Sequence, residues 1–273
     1  MVLSPEQPVA LAPEQPVALA PGDPLPEPRE QPAALVAEQI AAGAACAGTR
    51  GDRLCAVPAL ISWWTLDVRT LAPEAHADAV ARTGAELLGR WNDPARRYHG
   101  TTHLVEMFWA LEDLETAGEI DDRQACLARL AAWFHDAVYD ARARPGANEA
   151  DSAAYAGRSL RRLSLSEQDV RTVENLVRMT DGHSAPADDP LTAAFHDADL
   201  WILAAPEARF DAYCAQVREE YAFVDEQAYR AGRSAVLQPF ADRDAVYRTR
   251  HARREWDRRA RLNLSRELTR LRD

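Results

Sequence analysis

Apolar residues recur at intervals of three and four from Ile61 onward, and this spacing constrains the fold more than any other feature of the sequence. Residues at that spacing line one face of an α-helix, whereas a half-buried β-strand needs strict alternation of apolar and polar residues. No run from Ile61 onward alternates over the length of a strand. The sequence therefore predicts an all-α fold.

Helix boundaries are expected where capping residues or helix breakers interrupt this spacing. Thr101 or Thr102 is predicted to cap a helix that ends near residue 116, and Asp121 to begin the next one. Ser166 opens a further helix, to about residue 179, with the spacing of a capping box. The other predicted helices span residues 75–91, 148–163, 191–203, 207–224, 225–240 and 253–271.

The first 58 residues differ from the rest of the chain. They contain ten of its 17 prolines and a tandem repeat, PEQPVALA, at Pro5–Ala12 and Pro13–Ala20. Proline lacks the N–H that helices and sheets use, so this segment is predicted to be a disordered leader, with room for one short helix near residues 33–45. Residues 59–273 are expected to form a single helical domain.

Composition argues against several classes of protein. The formal net charge of −11 disfavours a nucleic-acid scaffold, because binding to a phosphate backbone needs a basic face. No stretch approaches the roughly 20 apolar residues of a membrane span, and the N-terminus has neither the basic start nor the unbroken apolar run of a secretory signal. The four cysteines are scattered without a CxxC pair, as is typical of reduced thiols. We therefore expect a cytoplasmic protein.

Histidine and aspartate recur in four segments in the middle of the chain. These are, in order, YHGTTH at Tyr98–His103, WFHDAVYD at Trp133–Asp140, TDGH at Thr180–His183 and FHDADL at Phe195–Leu200. Several of them lie in apolar surroundings with helical spacing. Together they point to polar side chains that meet in the interior of a helical bundle.

A metal ion would explain why such residues are buried. His135 and Asp136 are expected in the middle of a buried helix, where an unpaired carboxylate costs several kcal/mol. Asp197 and Asp199 are followed by an equally apolar stretch. A divalent cation satisfies imidazole and carboxylate groups together, and such mixed ligands suit Mn, Fe, Zn, Co or Mg without selecting one of them.

The same segments resemble a known family. RRYHGTTH, WFHDAVYD, NEADSA, TDGH, DADL, REEY and GR occur in the order found in a group of bacterial predicted phosphohydrolases of the HD superfamily, and the resemblance runs from Trp91 to Glu267. It implies an HD-type helical bundle with a divalent metal cofactor. The implied reaction is hydrolysis of a phosphate ester, of a nucleotide or another small phosphorylated metabolite, by a metal-activated water.

The resemblance also implies a set of metal ligands. They are His103, His135, Asp136 and Asp199. Two positions stay open, because His99 lies in the same motif as His103, and Asp197 lies in the same motif as Asp199. If both histidines of the first motif are helical, their spacing of four places them on one face.

Other residues are expected to act on the substrate. Asp136 would accept a proton from the water, Glu149 would serve as a further base or orient a ligand, and His183 would donate to a phosphoryl oxygen. All 32 basic residues are arginine, so a cationic phosphate contact must be an arginine. The predicted substrate contacts are Arg218, Arg233 and His99.

Two other functions are compatible with these residues. A di-iron oxygenase of the same fold would need extra ligands, which His99, His183 and His196 could supply. A metal-stabilised, ligand-sensing module without catalysis would need only the first set of ligands. No membrane partner is expected, and a homodimer is compatible with the sequence.

Overall fold

The computed structural model describes residues 57–183 and 189–273, and over these ranges it is all-helical, without a β-strand. The helices are α1 (Val57–Leu71), α2 (Ala77–Trp91), α3 (Thr101–Thr116), α4 (Asp122–His135), α5 (Ala147–Arg162), α6 (Glu167–Met179), α7 (Pro190–Asp199), α8 (Glu207–Glu220), α9 (Glu226–Ala241), α10 (Arg250–Glu255) and α11 (Asp257–Arg270). A 3-10 helix, Leu200–Ala204, follows α7. None of the described helices is both long and apolar enough to cross a membrane.

Most of the predicted leader lies outside the residues that the structure describes. The repeats and the proposed short helix near residues 33–45 lie outside the described residues, as do residues 184–188 of the predicted loop. Helix α1 begins at Val57, so helical structure starts slightly earlier than the predicted domain boundary at residue 59.

Helix α4 lies at the centre of the bundle. It packs against α1, α3, α5, α6 and α7, and every residue from Ala125 to His135 is buried. A helix that is largely apolar on all sides is stable only in a protein interior. Its start is fixed as the sequence predicts, because Asp121 and Gln124 form a reciprocal capping box.

Two predictions of local structure were wrong. Thr101 does not cap α3, since Gly100 is the capping residue and the Thr101 hydroxyl instead donates to Asn92 Oδ1 at 2.8 Å. The predicted last helix is two helices, α10 and α11, which meet at Trp256. The Trp256 ring is buried at this break, 5.5 Å from the ring of Tyr247.

Three helix ends meet at one place in the bundle. His103 lies in the first turn of α3, His135 is the last residue of α4, and Asp199 is the last residue of α7. These three helices pack against one another. The partial negative charge at the C-terminal ends of α4 and α7 favours a cation here, and the partial positive charge at the start of α3 opposes it.

Candidate metal centre

Four side chains from the predicted ligand set converge where these helices meet. Nε2 of His103 lies 3.2 Å from Nε2 of His135 and 3.1 Å from Oδ1 of Asp199. Nε2 of His135 lies 3.0 Å from Oδ2 of Asp136 and 3.5 Å from Oδ1 of Asp199. The two imidazoles are almost fully buried, at 3% and 2% exposure. The structure thus brings Asp199 and His103 into the cluster.

The spacing of His103, His135 and Asp136 fits a single cation, and Asp199 adds a carboxylate oxygen beside both histidines. Donor atoms bound at about 2.0–2.2 Å to one ion lie roughly 2.9–3.6 Å apart for bond angles between octahedral and tetrahedral, and about 4.4 Å apart at most. The longest of the measured contacts, His103 Nε2 to Asp136 Oδ2, is 3.9 Å. His103, His135 and Asp136 form a group that could hold a metal ion, each offering one atom within 4.8 Å of the others.

The His-Asp pair does not lie in the middle of a helix, which corrects the expectation from sequence. His135 ends α4, and Asp136 is the C-cap, with φ −112° and ψ 20°. The Asp136 carbonyl, which no longer has a helical partner, accepts a hydrogen bond from Arg96 at 2.7 Å. The chain therefore turns away at Asp136, and its carboxylate stays beside the imidazole of the preceding residue.

Hydrogen bonds to the other nitrogen hold both imidazoles in place. Nδ1 of His135 donates to the carbonyl of Ala132 at 2.9 Å. Nδ1 of His103 lies 3.1 Å from the hydroxyl of Tyr98, which is buried. With the proton on Nδ1, each Nε2 presents a lone pair to the cluster, which is the usual arrangement of metal-binding histidines.

The pKa values of the clustered side chains show that positive charge stabilises the cluster. Burial alone would lower the pKa of His135, but the carboxylates of Asp136 and Asp199 raise it to about 9. Burial opposes ionisation of the two aspartates, yet the neighbouring imidazoles, His135 foremost, hold the pKa of each carboxyl well below its usual range. A proton on the imidazole therefore balances part of the carboxylate charge, as a cation would do more completely.

Asp197, the alternative ligand, is committed elsewhere. Its carboxylate accepts hydrogen bonds from the backbone N–H groups of Arg248 and Thr249, from the Thr249 hydroxyl and from Nδ1 of His196. It is fully buried in this network. The two aspartates of the DAD segment thus point to different partners, and the one at position 199 faces the histidines.

His99, the alternative to His103, lies before α3 and so does not share a helical face with it. Its Nδ1 lies 2.6 Å from Oε2 of Glu220, and its ring stacks on Tyr139 at 4.2 Å. Its ring centroid is 6.3 Å from that of His103. The structure therefore places His99 beside the cluster and pairs it with a carboxylate of α8.

Glu220 is the residue near the site that sequence analysis missed. Its carboxylate accepts hydrogen bonds from the backbone N–H groups of Arg97, Tyr98 and His99 and from the Tyr139 hydroxyl, besides the imidazole of His99. Burial would raise its pKa, but these donors, His99 first, lower it to about 2. Glu220 belongs to the REEY segment, of which only Arg218 was predicted to contact the substrate.

Glu149 and His183 each interact with residues of the cluster. Glu149 is half-buried in the first turn of α5, where burial and the charge of Asp136 raise its pKa. Nε2 of His183 lies 3.5 Å from Oδ2 of Asp199. Burial lowers the pKa of His183 to about 4, against the opposing effect of Asp199. His183 is therefore a neutral imidazole at pH 7.

The two arginines predicted to bind substrate are bonded to other groups. Arg218 pairs with Glu226 at 3.1 Å and donates to the carbonyls of Tyr221 and Val224. Arg233 donates to the hydroxyl of Tyr213 and stacks on its ring at 4.9 Å. The structure brings neither guanidinium into contact with the four clustered side chains.

Comparison with known proteins adds no identification. No protein-family model, curated protein or solved structure matches the chain. A function for this chain must therefore be inferred from its own side chains.

Proposed function

We propose that this chain is a metal-dependent phosphohydrolase of the HD type, which cleaves a phosphate ester of a nucleotide or another small phosphorylated metabolite. The observation that carries the proposal is the group of His103, His135 and Asp136, whose spacing suits one divalent cation, with Asp199 in contact with both histidines. When bound, such a cation polarises a phosphoryl oxygen and lowers the pKa of water.

The residues around the ligands suit the rest of the reaction. The pKa of Glu149 is raised by burial and by Asp136, so this carboxyl can take up a proton near the reacting atoms. Nδ1 of His99 donates a hydrogen bond to Glu220, which holds the ring so that Nε2 can contact the substrate. His183, neutral at pH 7, can donate a hydrogen bond to a phosphoryl oxygen without contributing a proton.

The test is hydrolysis of an aryl phosphate by the purified protein supplied in turn with Mn²⁺, Fe²⁺, Zn²⁺, Co²⁺ or Mg²⁺. We expect turnover with at least one cation and none after chelation. His135→Gln and Asp136→Asn should abolish it, since each removes one ligand while nearly preserving side-chain volume. The exposed residues His76 and Asp151 provide matched controls, His76→Gln and Asp151→Asn, which should leave turnover unchanged.

Two outcomes would favour the alternatives. Two irons per chain, with absorbance in the visible range, would favour the oxygenase. In that case His99 and His196, which are hydrogen-bonded to Glu220 and Asp197, would have to exchange a carboxylate for a metal. One tightly bound cation without hydrolysis of any phosphate ester would favour the ligand-sensing module.

A further inference from the structure

Asp199 links the metal ligands to a second polar region. Its Oδ1 faces His103 and His135, whereas its Oδ2 faces His183. Beyond His183 lie two arginines, Arg243 and Arg248, whose positive charges help to lower the pKa of that histidine after the larger effect of burial. The second polar region therefore adjoins the metal ligands through the contact between His183 and Asp199.

The contacts of the two guanidiniums tie them to the same pair of histidines. Nη2 of Arg248 donates to the carbonyl of His183 at 2.5 Å. Nη1 of Arg243 lies 3.4 Å from Nε2 of His196, and the rings of His183 and His196 are 5.3 Å apart. Phe240 joins the two sides, with Arg243 over its ring at 4.5 Å and the His183 ring at 6.1 Å.

This region has donors and positive charge that the described part of the chain does not satisfy. Within residues 57–183 and 189–273, Nδ1 of His183 and Nη1 of Arg248 are buried without a hydrogen-bond partner, and no carboxylate forms an ion pair with Arg243 or Arg248. Asp197 attracts Arg248 electrostatically, but its oxygens accept other hydrogen bonds. The buried N–H of Arg248 Nη1 is costly unless a ligand accepts its hydrogen bond.

The pKa values of Arg243 and Arg248 also indicate that their positive charge is not balanced. Burial lowers the pKa of both guanidiniums, and the pKa of Arg248 is lowered further by repulsion from Arg243. An arginine stays charged in a protein, so each side chain retains its positive charge in these surroundings. An oxyanion between them would relieve the repulsion and accept hydrogen bonds from both.

We propose that Arg243 and Arg248, beside His183, form a binding site for a phosphate group of the substrate, distinct from the phosphate that is cleaved at the metal ligands. His183 reaches Asp199 with Nε2 and Arg248 with its backbone carbonyl, so the length of one histidine separates the two regions. The preferred substrate would then carry at least two phosphates. That the bound phosphate belongs to a substrate rests on the proposed function. That the two arginines bind an anion does not.

Binding of inorganic phosphate to the chelated, metal-free protein tests the site without any turnover. Calorimetric titration at constant ionic strength should detect binding to the wild type. The double variant Arg243→Gln/Arg248→Gln should bind roughly tenfold more weakly or worse, since it loses charged hydrogen bonds. Arg258→Gln/Arg259→Gln, at two exposed positions of α11, makes the matched change in charge and should bind like the wild type.

Circular dichroism and the melting temperature without phosphate will show whether the variants fold. Should the double variant fail to fold, Arg243→Gln alone provides the test, because it keeps the hydrogen bond from Arg248 to His183. No phosphate binding by the wild type, or equal binding by the folded arginine variants, would overturn the proposal. Phosphate binding lost in those variants, but without hydrolysis under any cation, would leave the site standing and remove the phosphohydrolase.

The requirement for two phosphates has its own test once a cation supports turnover. The double variant should lose more kcat/KM with a nucleoside diphosphate than with the corresponding monophosphate. An equal loss with both substrates would show that the arginines do not recognise a second phosphate.

Discussion

Helix α4 carries two buried charged clusters that differ in where their positive charge comes from. At its middle, Arg129 binds the buried Asp67 through Nε and Nη2, at 3.0 and 2.8 Å, and Glu115 at 3.1 Å. At its end, His135 lies between the carboxylates of Asp136 and Asp199. In the first cluster, the positive charge is the guanidinium of Arg129. In the second, the carboxylates face imidazoles, which are weaker cations.

The difference suggests distinct roles for the two clusters. A guanidinium bonded to two carboxylates leaves little for a ligand to add, and its loss exposes a buried charge. Imidazoles and carboxylates packed at 3.0–3.9 Å instead share only the proton of His135, and a divalent cation would balance their charge more completely. We therefore expect the middle cluster to determine stability and the end cluster to determine activity.

The largest expected effect is on activity at the end cluster. Asp199→Asn should lower kcat/KM by roughly a thousandfold or more, since the chemistry supplied by a bound cation is worth several kcal/mol. Its free energy of unfolding without metal should fall by less than at the middle cluster, because Asn keeps the side-chain volume and removes only the attraction between Asp199 and the neighbouring histidines. Steady-state kinetics and urea unfolding measure the two quantities. Asp151→Asn is the control, and a fully active Asp199→Asn would refute the ligand assignment.

The reverse pattern is expected at the middle cluster. Arg129→Met should lower the free energy of unfolding by about 3–5 kcal/mol, because it leaves the buried carboxylate of Asp67 without a counter-charge. Replacing Asp67 by Leu in the same chain should restore much of that loss. Metal content should stay unchanged in both variants when they are measured folded, at low temperature. A variant that is stable but lacks metal would reverse the assignment of roles.

The two clusters should also differ in their response to pH. The pKa of His135 is raised in the folded, metal-free protein to about 9, above its unfolded value. Its proton therefore contributes stability that is fully present below about pH 6.5 and is lost as the pH rises through about 9. Urea unfolding of the metal-free protein across this range should show the loss, and His135→Gln should remove it. Cation binding should instead tighten as the pH rises, because the proton competes with the metal.

The smallest expected effect lies next to the end cluster, at Glu220. Glu220→Gln should lower kcat roughly ten- to a hundredfold, as found for residues that orient groups around a metal, while metal content stays the same. Glu219→Gln changes the exposed neighbour on the same helix and should be nearly silent. A lowered melting temperature with an unchanged kcat would show that Glu220 only holds the loop before α3 in place.

Much of the fold was predictable because its signals are local. The burial of α4 follows from its apolar composition, and its start follows from the capping box at Asp121. The end of the same helix was not predictable in this way. Residues Ala137 and Val138 after the His-Asp pair are neither Gly nor Pro, so nothing in the sequence marks Asp136 as a C-cap.

The candidate site shows the same limit. The clustered residues could be found because histidine and aspartate are unusual in apolar segments. Glu220 could not be distinguished from Glu219, since only the packing of α8 decides which of two adjacent carboxylates turns inward. Among 32 arginines, Arg218 and Arg233 were chosen by motif, whereas the structure places Arg243 and Arg248 beside His183. Contacts between distant segments carried that information.

The most direct test of the metal centre is the number of ions per chain after dialysis against each divalent cation, measured by elemental analysis in the wild type and in Asp199→Asn. The account predicts one ion bound per wild-type chain and a loss of most of it in the variant, with Asp151→Asn unchanged. Wild-type protein that retains no cation, or equal metal content in Asp199→Asn, would contradict it.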